Sequence, residues 1–321
     1  MSERVLVTGA AGFVGSHLVA LLAGEQPRPE VVGWRRPARG GGEGRAAAGA
    51  PRGPILWREV DVLDPDAVGR AVAEQRPRRV YHCAGVAAVA GSWNDRVAGL
   101  RTNVIGTEHL LAALQRYAPV ARVLVPGSAL VYRPLDGPLD EHAAIRPVSP
   151  YGLSKLGQEM LAGCYAADGL AVVRTRSFTH IGPGQDRSYA ASSFAHQIAR
   201  IEAGHAEPML RVGDLDARRD LLDVRDAVRA YRALMRQGVP GAVYNVCSGS
   251  ACAVRDVLAG LLALARVPIE VRVDSARLRP DDHPVLLGDR TRITAEVGWE
   301  PRIALPETLR DVLDDWRAAL G

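Results

Sequence analysis

The stretch Val7–Leu18, "VTGAAGFVGSHL", decides how this chain is read. It closes an apolar run at 4–8 and opens a segment where Val14, Leu18, Leu21 and Leu22 recur at helical spacing. Gly9, Gly12 and Gly15 therefore fall where a strand turns into a helix. One glycine permits the tight turn and one lets the backbone approach a pyrophosphate. The third allows close helix–strand packing, and the helix N-terminus attracts the anion. Alone, GxxGxxG marks a tight turn. In the first βα unit of an alternating chain it marks a dinucleotide site, with Phe13 and Val14 expected among its contacts.

Working outward, apolar β-branched runs recur at 4–8, 30–34, 55–60, 78–83, 121–126, 170–175 and 242–246. Helical patterns separate several of them, including a second stripe at Leu100, Val104, Leu111 and Leu114. Near-continuous apolar strands joined by helices predict an α/β fold, a Rossmann-type doubly wound parallel sheet covered on both faces. The expected division is a dinucleotide-binding unit over 1–178, with 222–247 returning to it. A smaller, discontinuous substrate-binding unit over 179–221 and 248–321 is expected at the carboxyl edge of the sheet. The Gly- and Pro-rich residues 37–54 cannot build a core and read as a mobile surface loop.

The 321 residues suffice for such a fold, and 47% hydrophobic with 24% charged residues is ordinary for a globular protein. No apolar run approaches the roughly 18 residues of a membrane span. The start of the chain reads as a strand, without a basic leader or apolar signal core, so a cytoplasmic location is expected. Cys83, Cys164, Cys247 and Cys252 show no CxxC pairing and are expected as small buried hydrophobes in a reducing compartment. The His residues lack metal-ligand spacing, so no metal is expected. A net charge of +4 raises nucleic acid as a partner, but the Arg residues are dispersed and no aromatic-basic module appears. An anionic small molecule accounts for the excess equally well.

The second strand ends "VVGWRRP". An enzyme selecting NAD usually places an acidic residue there for the ribose 2′-hydroxyl. Arg35 and Arg36 stand there instead, and their guanidinium groups suit a 2′-phosphate, which favours NADP(H). Asp61 follows the third strand, in reach of an adenine. Val62, Ala84, Gly85 and Asn103, with Tyr151 and Lys155, complete the expected cofactor contacts.

Tyr151 and Lys155, four apart, share one face of a helix. Ser149-Pro150 supplies an N-cap and a proline at the first helical position. A neighbouring ammonium and a hydrogen-bonding serine are expected to lower the phenol from its ordinary value near 10 toward neutrality. With Ser128 ahead of them, these residues form the expected catalytic group Ser128, Tyr151 and Lys155.

Loop, serine, tyrosine and lysine together resemble the extended short-chain dehydrogenase/reductases that act on nucleotide-activated sugars. The resemblance covers nearly the whole chain. "RTNVIGTEHLL" is similar to the family's long interface helix. "RTRSFTHIGPGQ", "GDLDARRDLLDVRDAV" and "RLRPDDHPVLLGDRTRITAEVGWEP" are similar to its GDP-mannose branch, the 4,6-dehydratases and 4-ketoreductases. The resemblance implies Arg219 and Arg279 at the substrate diphosphate and Asp282 at a ribose hydroxyl. Two guanidinium forks suit a diphosphate on chemical grounds also. Thr179 stands where the branch has Asn, and Val86-Ala87 where many relatives carry Gln-Ser, both places that touch the sugar or phosphates.

The family's dehydratases add a Glu two residues after the catalytic Ser or Thr, an extra acid/base for eliminating water across C5–C6. Here that position is Leu130, which transfers no proton. Glu141 remains a carboxylate able to reach the site from another direction. The reading is an NADPH-dependent 4-ketoreductase converting GDP-4-keto-6-deoxy-mannose to GDP-rhamnose. A GDP-mannose 4,6-dehydratase and another nucleotide-sugar epimerase or dehydratase are the alternatives, with a non-catalytic NADP-binding protein behind them. The resemblance also implies a homodimer, with a tetramer left open, through a four-helix bundle built from 95–117 and 150–167. No nucleic acid or membrane partner is expected.

Overall fold

A computed structural model describes residues 3–37, 55–86, 93, 95–274 and 285–320. Seven strands form one sheet: β1 (Arg4–Thr8), β2 (Glu30–Arg35), β3 (Leu56–Glu59), β4 (Arg79–His82), β5 (Arg122–Ser128), β7 (Ala171–Ser177) and β11 (Val243–Val246). Their order is β11-β7-β5-β4-β1-β2-β3, and all six pairings are parallel. The chain winds outward from β1 in both directions, so the β1/β4 boundary is the switch point where open α/β sheets bind ligands.

The helices of this unit are α1 (Phe13–Ala23), α2 (Pro65–Gln75), α3 (Arg96–Leu100), α4 (Gly106–Tyr117), α5 (Pro150–Ala167) and α7 (Val224–Gln237). A π-helical turn, Arg101–Ile105, joins α3 to α4. On β1, Val5 and Val7 pack toward α1 and α7 with Leu18, Leu22, Val228 and Leu234. Leu6, pointing the other way, packs with Val68, Val72, Leu110 and Leu114 of α2 and α4. Strands buried on both faces are why these runs carry almost no polar residues.

The remaining elements are β6 (Pro138–Leu139), β8 (Thr179–Ile181), α6 (Ala190–Glu202), β9 (Met209–Val212), β10 (Arg218–Asp223), β12 (Ala251–Ala253), α8 (Val254–Leu262), β13 (Glu270–Val273), β14 (Val285–Gly288), α9 (Thr291–Val297) and α10 (Leu305–Leu320). A second sheet runs β12-β10-β14-β6, with β8 beside β10, while β9 and β13 pair separately. Phe194, Ile198, Leu210, Leu258, Leu313 and Trp316 form the core of this smaller unit. Ile293, Val297 and Trp299 pack instead with α1 and α7 under the parallel sheet. The segment expected to stay with the smaller unit thus returns to the larger one, because three large apolar side chains find their buried surface there.

All four cysteines are free. Cys164 is exposed on α5, and Cys83 and Cys252 are half-buried, so only Cys247 fits the expected buried role. Among the described residues no helix is long and apolar enough to cross a membrane, and no group of His, Cys, Asp or Glu is placed to hold a metal ion. The loop read at 37–54, beyond Pro37, lies outside the described residues, as do Ala87, Arg279 and Asp282.

Candidate active site

A cavity of about 650 Å³ opens at the switch point and runs from the glycine turn to the smaller unit. The turn shows why glycine is required. Gly9 has φ +63°, and a Cβ there would sit 2.7 Å from the Ala84 backbone nitrogen. A Cβ on Gly15 would collide with the Gly9 carbonyl oxygen. Gly12 caps α1 without any side chain, so the first-turn N–H groups have no side-chain capping oxygen. That cradle fits a pyrophosphate. Phe13, Val14, Ala84, Gly85 and Val86 line the cavity as expected.

Other expected cofactor residues stand elsewhere. Asn103 is fully buried and does not line the cavity. Its Oδ1 accepts the Val86 N–H at 2.9 Å, and its Nδ2 donates to Ser154 Oγ at 2.9 Å and to the Val86 carbonyl at 3.3 Å. Asn103 is therefore a strut between the β4 loop and α5, its amide consumed by backbone and serine. Arg35, Arg36, Asp61 and Val62 lie beyond the cavity at the carboxyl ends of β2 and β3. Arg35 pairs with Glu59 at 3.0 Å, both side chains about half exposed. Asp61 Oδ1 accepts the Leu63 N–H, and the Val62 carbonyl is hydrogen-bonded to His109 Nδ1.

The expected catalytic group, Ser128, Tyr151 and Lys155, lies where β5 ends and α5 begins. The Ser149 side chain accepts the Gly152 N–H and Pro150 occupies the first turn, as expected, which fixes Tyr151 beside the strand end. Ser128 Oγ accepts the Leu130 N–H at 3.2 Å. Burial pushes the Tyr151 phenol up, opposed by a hydrogen bond with Ser128. The expected lowering by Lys155 is not what the structure shows, because the ammonium faces elsewhere. Lys155 Nζ donates to the Pro126 carbonyl at 2.6 Å and to Gln158 Oε1. Burial brings this ammonium down to about 8, against opposing fields from Cys83 and Glu159. The phenol is thus protonated near neutrality, the form that donates.

Leu130 lines the cavity in a 3₁₀ turn, Ala129–Val131, directly after Ser128. Glu141 does not line it; its carboxylate accepts the Asn245 N–H at 2.7 Å. Among the described lining residues the one carboxylate is Asp214, at the far end beside Arg211. Thr179 and Arg219 line that same half on β8 and β10.

Several site residues were not anticipated from sequence. His180 and Tyr231 line the cavity and are hydrogen-bonded at 3.2 Å, and burial lowers His180 to about 4, keeping it neutral. Gln158, Thr107 and His82 lie beneath Lys155. One signal was present in the sequence: Lys155 is the only lysine of the chain.

The family sequence profile for GDP-mannose 4,6 dehydratase matches residues 6–312. The chain belongs to the GDP-mannose 4,6-dehydratase family. It is 36% identical to GDP-6-deoxy-D-mannose reductase of Pseudomonas aeruginosa, over 99% of this chain and 98% of the relative. It is 33% identical to dTDP-glucose 4,6-dehydratase of Streptomyces griseus, over 96% and 92%. The solved structure of RMD from Pseudomonas aeruginosa, complexed with NADPH, superposes with a TM-score of 0.84 at 33% identity, covering 99% of this chain and all of that one. The chain is an enzyme of this family, whose relatives include nucleotide-sugar reductases, dehydratases and epimerases.

Proposed function

We propose that this enzyme reduces the C4 keto group of a GDP-4-keto-6-deoxyhexose with NADPH, giving GDP-rhamnose. The observation that carries the reading is Leu130 in the lining beside Ser128, with no Glu among the described lining residues. Elimination across C5–C6 needs a further acid/base in that place; ketone reduction does not. Similarity to a GDP-6-deoxy-D-mannose reductase and to an NADPH complex supports substrate class and cofactor.

The Gly9–Gly15 cradle would hold the NADPH pyrophosphate, and the bound cofactor would supply a hydride for C4. Tyr151 then gives its phenolic proton to the forming alkoxide. Ser128 hydrogen-bonds the carbonyl oxygen and polarises it toward that charge. Lys155, its ammonium held by the Pro126 carbonyl and Gln158, would hold the nicotinamide ribose. Arg35 and Arg36 would take the 2′-phosphate and Arg219 the substrate diphosphate, with Arg279 and Asp282 assigned alongside it. Thr179 and Val86 would face the hexose.

The same proposal includes a homodimer. Val97, Leu100 and Ile105 on one helix and Leu153 and Met160 on the neighbouring α5 are exposed apolar side chains, from 40% for Leu100 to 64% for Met160. A second copy of the same two helices would cover them.

Two incubations test the reaction, followed by product analysis with mass spectrometry and NMR. GDP-4-keto-6-deoxy-mannose with NADPH should give a 6-deoxyhexose with stoichiometric NADPH consumption, and GDP-mannose with NADP should not react. Water loss from GDP-mannose without net cofactor turnover would overturn the reading.

A further inference from the structure

Beneath Lys155 lies a chain of buried polar groups in which every proton direction is determined. Thr107 Oγ1 donates to the Asn103 carbonyl at 2.6 Å, which uses its single proton. It must therefore accept at its two remaining contacts, His82 Nε2 at 2.9 Å and Gln158 Nε2 at 2.8 Å. His82 is neutral, lowered to about 3 by burial and by the charge on Lys155. With its proton on Nε2, its Nδ1 accepts from Thr8 Oγ1 at 2.8 Å. Thr8 Oγ1 in turn accepts the Ala84 N–H at 3.1 Å. Thr8, His82, Thr107 and Gln158 are each fully buried or nearly so.

The consequence falls on Gln158. Its Nε2 is held by an oxygen that can only accept, so the amide cannot turn over, and Oε1 faces the Lys155 ammonium. The opposite end of the chain is Ala84, the residue against which Gly9 packs. The network thus ties the glycine turn to the lysine. We infer that Gln158 is a positioning residue for Lys155, an acceptor locked by Thr107 that holds the ammonium charged and in place. This rests on the proposed role of Lys155 beside Tyr151.

The groups facing Lys155 are few. His82 ends β4 and Cys83 follows it, Glu159 lies on α5, and Pro126 on β5 presents its carbonyl. Glu159 is bound to Arg176 at 2.7 Å, so its charge is largely answered there. Gln158 is therefore the side chain whose removal most directly costs the ammonium an acceptor.

Because the chain has one lysine, ε-¹³C-lysine labelling of the full-length protein gives one titrating resonance. Its midpoint in the native enzyme is expected at about 8. An acceptor to a charged group lost in a buried site should lower that midpoint by about one to two pH units in Gln158→Leu. Gln158→Glu, of the same size, should raise it by about one unit or more. Thr107→Val, which unlocks the amide without touching the lysine, should lower it by about half a unit or more. NADP binding by each variant reports that the fold is kept, and the Glu and Val variants carry the test should the Leu variant not fold. Midpoints unchanged in the folded variants overturn the inference. Since the resonance reports Lys155 itself, shifts without any turnover of the keto sugar would uphold Gln158 and overturn the reductase reading.

Discussion

If Arg35 takes the 2′-phosphate as proposed, cofactor choice turns on one exposed ion pair. Arg35 and Glu59 meet at 3.0 Å with both side chains 52% exposed. Such a surface pair is worth about 0 to 1 kcal/mol, so Glu59 holds Arg35 only weakly. A guanidinium–phosphate hydrogen bond is worth about 1.5 to 3 kcal/mol, because both partners are charged. The 2′-phosphate therefore wins Arg35 from Glu59. Arg35→Ala should weaken NADPH about 10- to 100-fold and leave NADH affinity within about twofold. Glu59→Gln should do the reverse, tightening NADPH by up to about fivefold through release of the competing partner. Calorimetric titration of both cofactors against the three proteins measures this, and the NADPH effect should shrink as salt rises. Equal loss of NADPH and NADH in Arg35→Ala, or weaker NADPH binding in Glu59→Gln, would refute the assignment.

Three further outcomes are expected. Tyr151→Phe removes the proton donor while keeping the ring, so kcat should fall about 10²- to 10⁴-fold with NADPH affinity unchanged; retained turnover would remove Tyr151 from the mechanism. His82 and His180 are neutral in the fold at pH values where the unfolded chain protonates them, so stability should fall as pH drops below about 6.5. For His82 alone the loss between pH 7.5 and 5 is about 2 kcal/mol, and thermal melts across that range should flatten in His82→Gln. Leu153→Arg with Met160→Arg should convert a dimer to a monomer in light scattering after gel filtration, because each places a charge in the apolar surface the second copy would cover.

The larger unit was legible because its signals are local. All seven expected strands are the seven strands of the sheet, and each is an apolar run long enough to stand out against its turns. The smaller sheet is not legible in that way. Its strands β6, β8 and β12 are two or three residues long and come from three separate parts of the chain, too short for any period to show. The grouping of Ser128, Tyr151 and Lys155 was readable because a strand end and an i, i+4 helix spacing place them. The hydrogen bonds of Asn103 were not legible for the complementary reason. Whether an amide faces a cavity or spends its hydrogen bonds on backbone depends on partners 17 and 51 residues away.

The composition carried one further mark of the site. The chain has 40 basic residues, and lysine occurs once among them. Wherever a cation only has to sit at the surface or answer a carboxylate, arginine serves, as at Arg35, Arg176, Arg225 and Arg317. Arginine cannot serve at 155. Its guanidinium does not give up a proton in a protein, and its planar fork is too large for a site with one carbonyl and one locked amide oxygen. An ammonium is compact, and burial moves its titration to about 8. The one position where a strong preference for arginine stops is a buried site that holds a compact cation whose charge burial can tune.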